Sequence, residues 1–154
     1  GIEIDEIRIL RAKYAQEILG VKNADFEVLD LYSIDSSKKY NTSMALGMLH
    51  RVPDMNGLLE KMSKISERII VEYKSFNKNA DEILVKEELA TRGHKITKLN
   101  SYNTLHGVPT DLYVENRLRE LGFNEFEFHK DKSGKLNFPR SICIAKKGNR
   151  LQES

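Results

Sequence analysis

With a single cysteine, Cys143, the chain has no means of building an internal disulfide framework. No apolar stretch approaches the roughly 20 residues that a membrane-spanning helix needs, and no secretory leader is visible, so a cytoplasmic protein is expected. An excess of one charge is missing too: 25 Lys and Arg against 23 Asp and Glu leave a net +2, which gives no strong lean towards nucleic acid. Lysines gather loosely at Lys130, Lys132, Lys135, Lys146 and Lys147, but without a clustered basic stripe they read as a solvated hairpin rim. His50, His94, His106 and His129 are scattered without ligand spacing, so no metal site is expected. Clustered glycines are also lacking: Gly20, Gly47, Gly57, Gly93, Gly107, Gly122, Gly134 and Gly148 all stand alone. Repeats and low-complexity tracts are absent.

What is present fits one compact domain. The 154 residues suffice for a sizeable core, and 40% hydrophobic with 31% charged is ordinary for a globular protein. The domain is expected to span 1–147, with 148–154 as a tail. The run YNTSMALGMLHRVPDMNGLLEKMSKISERIIVEYKSF from Tyr40 to Phe76 carries most of the information. In SMALGML the apolar residues do not alternate, as in a parallel strand covered on both faces, and IIVEY repeats that signature after one helix. A parallel pair needs a helical crossover, which Asp54 to Ile65 supplies.

Helices are expected on both sides of this run. Asp5 is placed to cap a first helix with Ile7, Leu10, Tyr14 and Ile18 on its inward face and Gly20 at its close. Phe26 to Asp30 reads as a strand, Ser36 to Asn41 as a loop and Ser43 to Met48 as a strand. Asp81 is placed to cap a helix with Ile83, Leu84 and Leu89 inward, ending at Gly93. Asn100 to Pro109 shows no clear period. Thr110 caps a last helix with Val114, Leu118 and Leu121 inward and Gly122 past its end.

The order and spacing of these segments resemble the class I S-adenosylmethionine-dependent methyltransferases. ALGMLHRVPD with a leucine-rich helix behind looks like that family's fourth strand and following turn, GIEID like the end of its second strand, and FEVLDLYSI like its third. VPTDLYVENRLRELGFNEFEFHK followed by RSICIAKK looks like its last helix and closing antiparallel pair. There is also a local likeness to enzymes that alkylate the wobble uridine of tRNA. The resemblance implies an α/β Rossmann-like sheet, mostly parallel with a C-terminal antiparallel hairpin, Glu125 to Lys147, whose final strand is Ser141 to Lys146. It also implies a first strand ending in a GxGxG turn ahead of Glu3, so about 30 residues of one strand, loop and helix unit are wanting and the chain is expected to be N-terminally truncated.

The same resemblance assigns site residues. Glu3 would take the ribose hydroxyls of S-adenosylmethionine, since a carboxylate accepts both protons at once. Asp30 would accept from the adenine amino group, Leu31 would lie near the ring, and Leu46 and Gly47 would line the cofactor. Against this, Glu3 can serve as a charge near a helix N-terminus and Asp30 as a turn cap. His50 and Arg51 follow the fourth strand where cofactor and acceptor would meet; His50 is the candidate catalytic base or acceptor-orienting group, and Arg51 a substrate contact. Tyr73, Tyr102 and His106 are further substrate candidates, the last two in a variable stretch that covers the acceptor pocket in the family. Glu72 is either functional or turned to solvent at its strand end.

Methyl transfer from a sulfonium asks chiefly for positioning, so no metal is required. A cytosine C5 enzyme would need a loop cysteine, whereas Cys143 in SICIA reads as core. The acceptor is expected to be a small molecule or an RNA base, with no membrane partner. Two other uses remain: a non-catalytic remnant or partner subunit, and a nucleotide-binding oxidoreductase domain, against which the closing hairpin speaks. The sheet order that the resemblance implies leaves an unprotected edge at Ser43 to Met48, so the chain is expected either to form a homo-oligomer or to let Phe26 to Leu29 or Ile2 to Ile4 slide in beside it.

Overall fold

The computed structural model describes residues 1–75, 83–91, 101–131 and 139–148, with the backbone alone for 83–91 and 101–106. The chain divides into two compact units, Gly1–Lys38 and Lys39–Ser154.

In the first unit β1 (Ile2–Glu3) pairs in parallel with β2 (Glu27–Val28), and α1 (Glu6–Ile18) makes the crossover. Asp5 caps α1 by accepting from the Ile7 amide at 2.9 Å. Gly20, at φ 66°, closes it: its N–H donates to Glu17 and that of Val21 to Gln16, in the left-handed motif that glycine permits. The inward face differs from expectation. Ile7, Leu10, Tyr14 and Ile18 are 60%, 58%, 66% and 65% exposed, while Ile9 is buried. Strands of two residues present too little surface to cover a helix stripe, so a single side chain is taken.

The second unit runs β3 (Tyr40–Leu46), α2 (Met55–Ile65), β4 (Ser66–Lys74), β5 (Ile83–Thr91), β6 (Ser101–Pro109), α3 (Asp111–Glu120), β7 (Glu125–Lys130) and β8 (Arg140–Lys146). Its main sheet has the order β3-β4-β8-β7; β3 and β4 are parallel, and β8 and β7 add in antiparallel fashion. The antiparallel closing strand thus forms where the sequence placed it.

Two expectations about this unit are corrected. The segment after Asp81 forms no helix over Ile83, Leu84 and Leu89. It is β5, paired antiparallel with β6 from Ile83 opposite Pro109 to Thr91 opposite Ser101. The helix-favouring Glu, Lys and Leu of ILVKEELAT are overridden by a distant partner strand, a choice local propensity cannot see. Ser101–Pro109, in the stretch that showed no period, supplies that partner. Asp81 and Gly93, the proposed ends of that helix, lie outside the described residues.

The core sits on one face of the main sheet. Ala45, Ile69, Val71, Tyr73, Cys143 and Ala145 point there, and Leu58, Leu59, Met62 and Ile65 of α2 and Val114 and Leu118 of α3 are buried with them. Asp54 caps α2 through the Gly57 amide and Thr110 caps α3 through the Tyr113 amide, so both helices start where their cap residues stand. The opposite face is open among the described residues. Met44 and Leu46 are 60% and 57% exposed, so SMALGML is not covered on both faces as its unbroken apolar run suggested. β3 is also the edge of its sheet, which explains why half of that run stays in solvent.

Candidate functional site

In the first unit the C-terminal ends of β1 and β2 carry two carboxylates, the end of a parallel pair where α/β sheets bind ligands. Glu3 Oε1 accepts from the amides of Ile4 at 2.9 Å and Asp5 at 3.3 Å, and Oε2 pairs with Arg8 at 3.1 Å. Glu3 therefore serves as a charge ahead of the α1 N-terminus. With about four lone-pair positions on a carboxylate, Oε2 keeps room for one more donor. Asp30 Oδ1 accepts from the Tyr32 amide at 3.0 Å and caps the short 3-10 turn Leu31–Ser33, which Leu31 opens. Its turn-capping role is thus realised through Oδ1.

In the second unit β3 ends in a tight turn. Gly47, at φ 69°, sits where an L side chain is strained, and its N–H donates to the Glu72 carbonyl at 2.9 Å. The turn continues with the amides of Arg51 and Val52 both donating to Met48, at 2.7 and 3.1 Å. His50 is fully buried, and its Nδ1 accepts from the Lys74 amide at 3.2 Å. Arg51 is exposed, and Leu46 stands on the open sheet face.

Glu72 also lies on the open face, opposite Leu46 on one side and Ile142 on the other. Its Oε1 is 2.5 Å from Arg140, and the Glu72 side chain is only 19% exposed. A half-buried carboxylate needs such a partner, and the pair stands beside Gly47: a Cβ built there would come within 3.4 Å of Glu72 and 3.6 Å of Arg140. Arg140 was not singled out in the sequence, being 68 residues away with no motif to connect the two.

Tyr73 points the other way. It is fully buried, and its hydroxyl donates to Asp111 Oδ1 at 3.0 Å, as does that of Ser75, while Lys130 meets Oδ2 at 2.7 Å. Burial raises the Asp111 pKa, but bonds from Lys130, Ser75 and Tyr73 outweigh it and hold the carboxyl below its ordinary value. Burial, then the Asp111 charge, push the Tyr73 phenol far up. The Cys143 thiol is pushed up to about 12 by burial and by the charges of Asp111 and Glu115, as expected of an unreactive core cysteine. Tyr73 is therefore part of a network joining β4, α3 and β7, with its hydroxyl held by Asp111. Tyr102 and His106 pair through their backbones with Ala90 and Lys86, and their side chains lie outside the described residues.

No protein-family model matches the chain, and no curated protein matches it. Solved structures do. The N-terminal domain of EvdMO1, crystallised in the presence of SAH and D-fucose, matches 96% of this chain and 65% of its own length at 18% identity, with a TM-score of 0.70. Magnesium protoporphyrin IX methyltransferase from Synechocystis PCC 6803 with bound SAM matches over 96% and 58% at 18% identity and TM-score 0.64. The Burkholderia thailandensis 1,6-didemethyltoxoflavin-N1-methyltransferase, bound to its namesake compound and S-adenosylhomocysteine, matches over 96% and 60% at 15% identity and TM-score 0.65. The chain thus spans less than two thirds of the length of these proteins. Its fold is that of the class I S-adenosylmethionine-dependent methyltransferases.

Proposed function

We propose that this chain takes part in S-adenosylmethionine-dependent methyl transfer to a small molecule or an RNA base. The observation that carries the reading is the likeness of fold over 96% of the chain to methyltransferases solved with SAM or SAH. The closing β7–β8 antiparallel pair supports it against a nucleotide-binding oxidoreductase domain. A small-molecule acceptor is the simpler choice, since Lys130, Lys146 and Lys147 each face a carboxylate rather than forming a free basic stripe.

The residues present fit part of the cofactor. Glu3 and Asp30 stand at the ends of parallel strands, Glu3 with acceptor capacity left on Oε2, which supports their assignment to the adenosine portion. Leu31, which opens the turn that Asp30 caps, would lie by the adenine. For the methionine portion the sequence offers no clustered glycines. S-adenosylmethionine, when bound, supplies an electrophilic methyl group, and the residues after β3 would orient the acceptor towards it, Arg51 as the exposed cation among them.

Saturation-transfer NMR with SAH tests this. Weak binding is expected, with adenine and ribose protons saturated more strongly than the methionine methylenes, and Glu3→Ala weakening it by about 1–3 kcal/mol. Absence of any saturation transfer, or micromolar affinity by calorimetry, contradicts the assignment of the two portions.

A further inference from the structure

The parallel ladder between β3 and β4 ends in an unusual way. Gly47 donates its amide to Glu72, and the next β4 amide on that side, Lys74, faces the place where a β3 carbonyl would stand had the strand run straight. The chain has already turned away at Gly47, and the acceptor found there is Nδ1 of His50 at 3.2 Å. The imidazole thus supplies the last rung in place of the backbone. Because Nδ1 accepts, a neutral ring carries its proton on Nε2. The side chain doing this is fully buried, as is Leu49 beside it at 1% exposure, while Arg51 one residue on is exposed.

We propose that His50 is a positioning residue that completes the β3–β4 ladder and thereby fixes the turn Gly47–Val52 at the ligand end of the parallel pair. A histidine in this place could serve as a catalytic base only with a free ring nitrogen lone pair. The geometry points to a different use: Nδ1 holds a backbone donor, so it is not available to take a proton from an acceptor. The functional consequence rests on the methyltransferase reading, in which this turn lines the cofactor and presents Arg51 to the acceptor. The structural part, that the ring holds Lys74, stands without it.

The test uses the stereochemical difference between two amides. Asn places its Oδ1 where the histidine Nδ1 sits, whereas Gln extends to the Nε2 position. Amide exchange is followed at Lys74 and along Gly47–Val52 in the wild-type protein and in His50→Asn, His50→Gln and His50→Leu. Loss of the acceptor in Gln and Leu is expected to speed exchange at Lys74 by about tenfold or more, and Asn to restore protection. Saturation-transfer titration with SAH is expected to follow the same order. Equal exchange in Asn and Leu, or a Lys74 amide still protected in Leu, overturns the proposal. Long-range proton–nitrogen NMR of the wild-type protein keeps it falsifiable if a variant fails to fold. An unprotonated Nδ1 near neutral pH is expected, and a protonated Nδ1 overturns it. A wild-type protein that fails to bind SAH while showing the expected exchange pattern rejects the methyltransferase reading and leaves the structural assignment in place.

Discussion

At the scale of single residues Asp111 is the group on which most of the interior polar bonding converges. Its folded pKa lies below the ordinary 3.8 because the bonds it receives outweigh its desolvation. The stability it contributes is therefore fully present above that unfolded value and is lost as pH falls through the lower folded one. Urea midpoints of the wild-type protein and Asp111→Asn should differ by a constant amount at neutral pH and converge below about pH 4. Tyr73→Phe removes one donor to a charged group and leaves the ring in place, so a loss of about 1–3 kcal/mol in unfolding free energy is expected, with no loss of SAH binding. An unchanged midpoint would mean the hydroxyl is paired as well with water in the unfolded chain as with Asp111 in the folded one.

Among the elements, the two amphipathic helices and α1 make an instructive contrast. Leu118 of α3 is fully buried, and Leu118→Ala should cost about 2–5 kcal/mol as a cavity opens against the sheet. Ile7 and Leu10 of α1 carry the same kind of periodic spacing yet are exposed, so Ile7→Ala should stay within about 0.5 kcal/mol. Thermal or urea unfolding of both variants checks the pair. A large loss from Ile7→Ala would show that the α1 face is covered in solution.

On the scale of the whole molecule, β3 is the feature that sets behaviour. It is an edge strand with neither charge nor proline from Tyr40 to Leu46, and Met44 and Leu46 stand exposed on its open face. Unpaired backbone groups beside apolar side chains form a template for another strand, and an antiparallel match about Ser43 would set Tyr40 opposite Leu46 and Thr42 opposite Met44 with no charge in conflict. Concentration-dependent self-association is the expected outcome in light scattering, with Met44→Lys returning the chain to monomer as a lysine gatekeeper does. A monodisperse monomer with rapid amide exchange along Met44 to Met48 would contradict it.

The sequence by itself determined the parts whose hydrogen bonds close within a few residues. Asp5 and Thr110 cap the helices they were expected to cap, and Gly20 and Gly122 take the left-handed conformations that end those two. The IIVEY and ICIA runs could be read as strands because their apolar, largely β-branched residues run on, although only alternate side chains are buried. The carboxylates Glu3 and Asp30 were legible as strand-end residues, but their bonds to Arg8 and to the Tyr32 amide came only with the folded chain. Tertiary structure alone decided that ILVKEELAT is a strand, since its partner lies beyond an intervening segment and the residues themselves favour a helix. It alone joined Glu72 to Arg140 and Tyr73 to Asp111, 68 and 38 residues apart, and gave His50 the Lys74 amide. A cap is a local equilibrium that neighbouring residues settle among themselves, whereas pairing and burial depend on which distant surface arrives, and no local pattern encodes that.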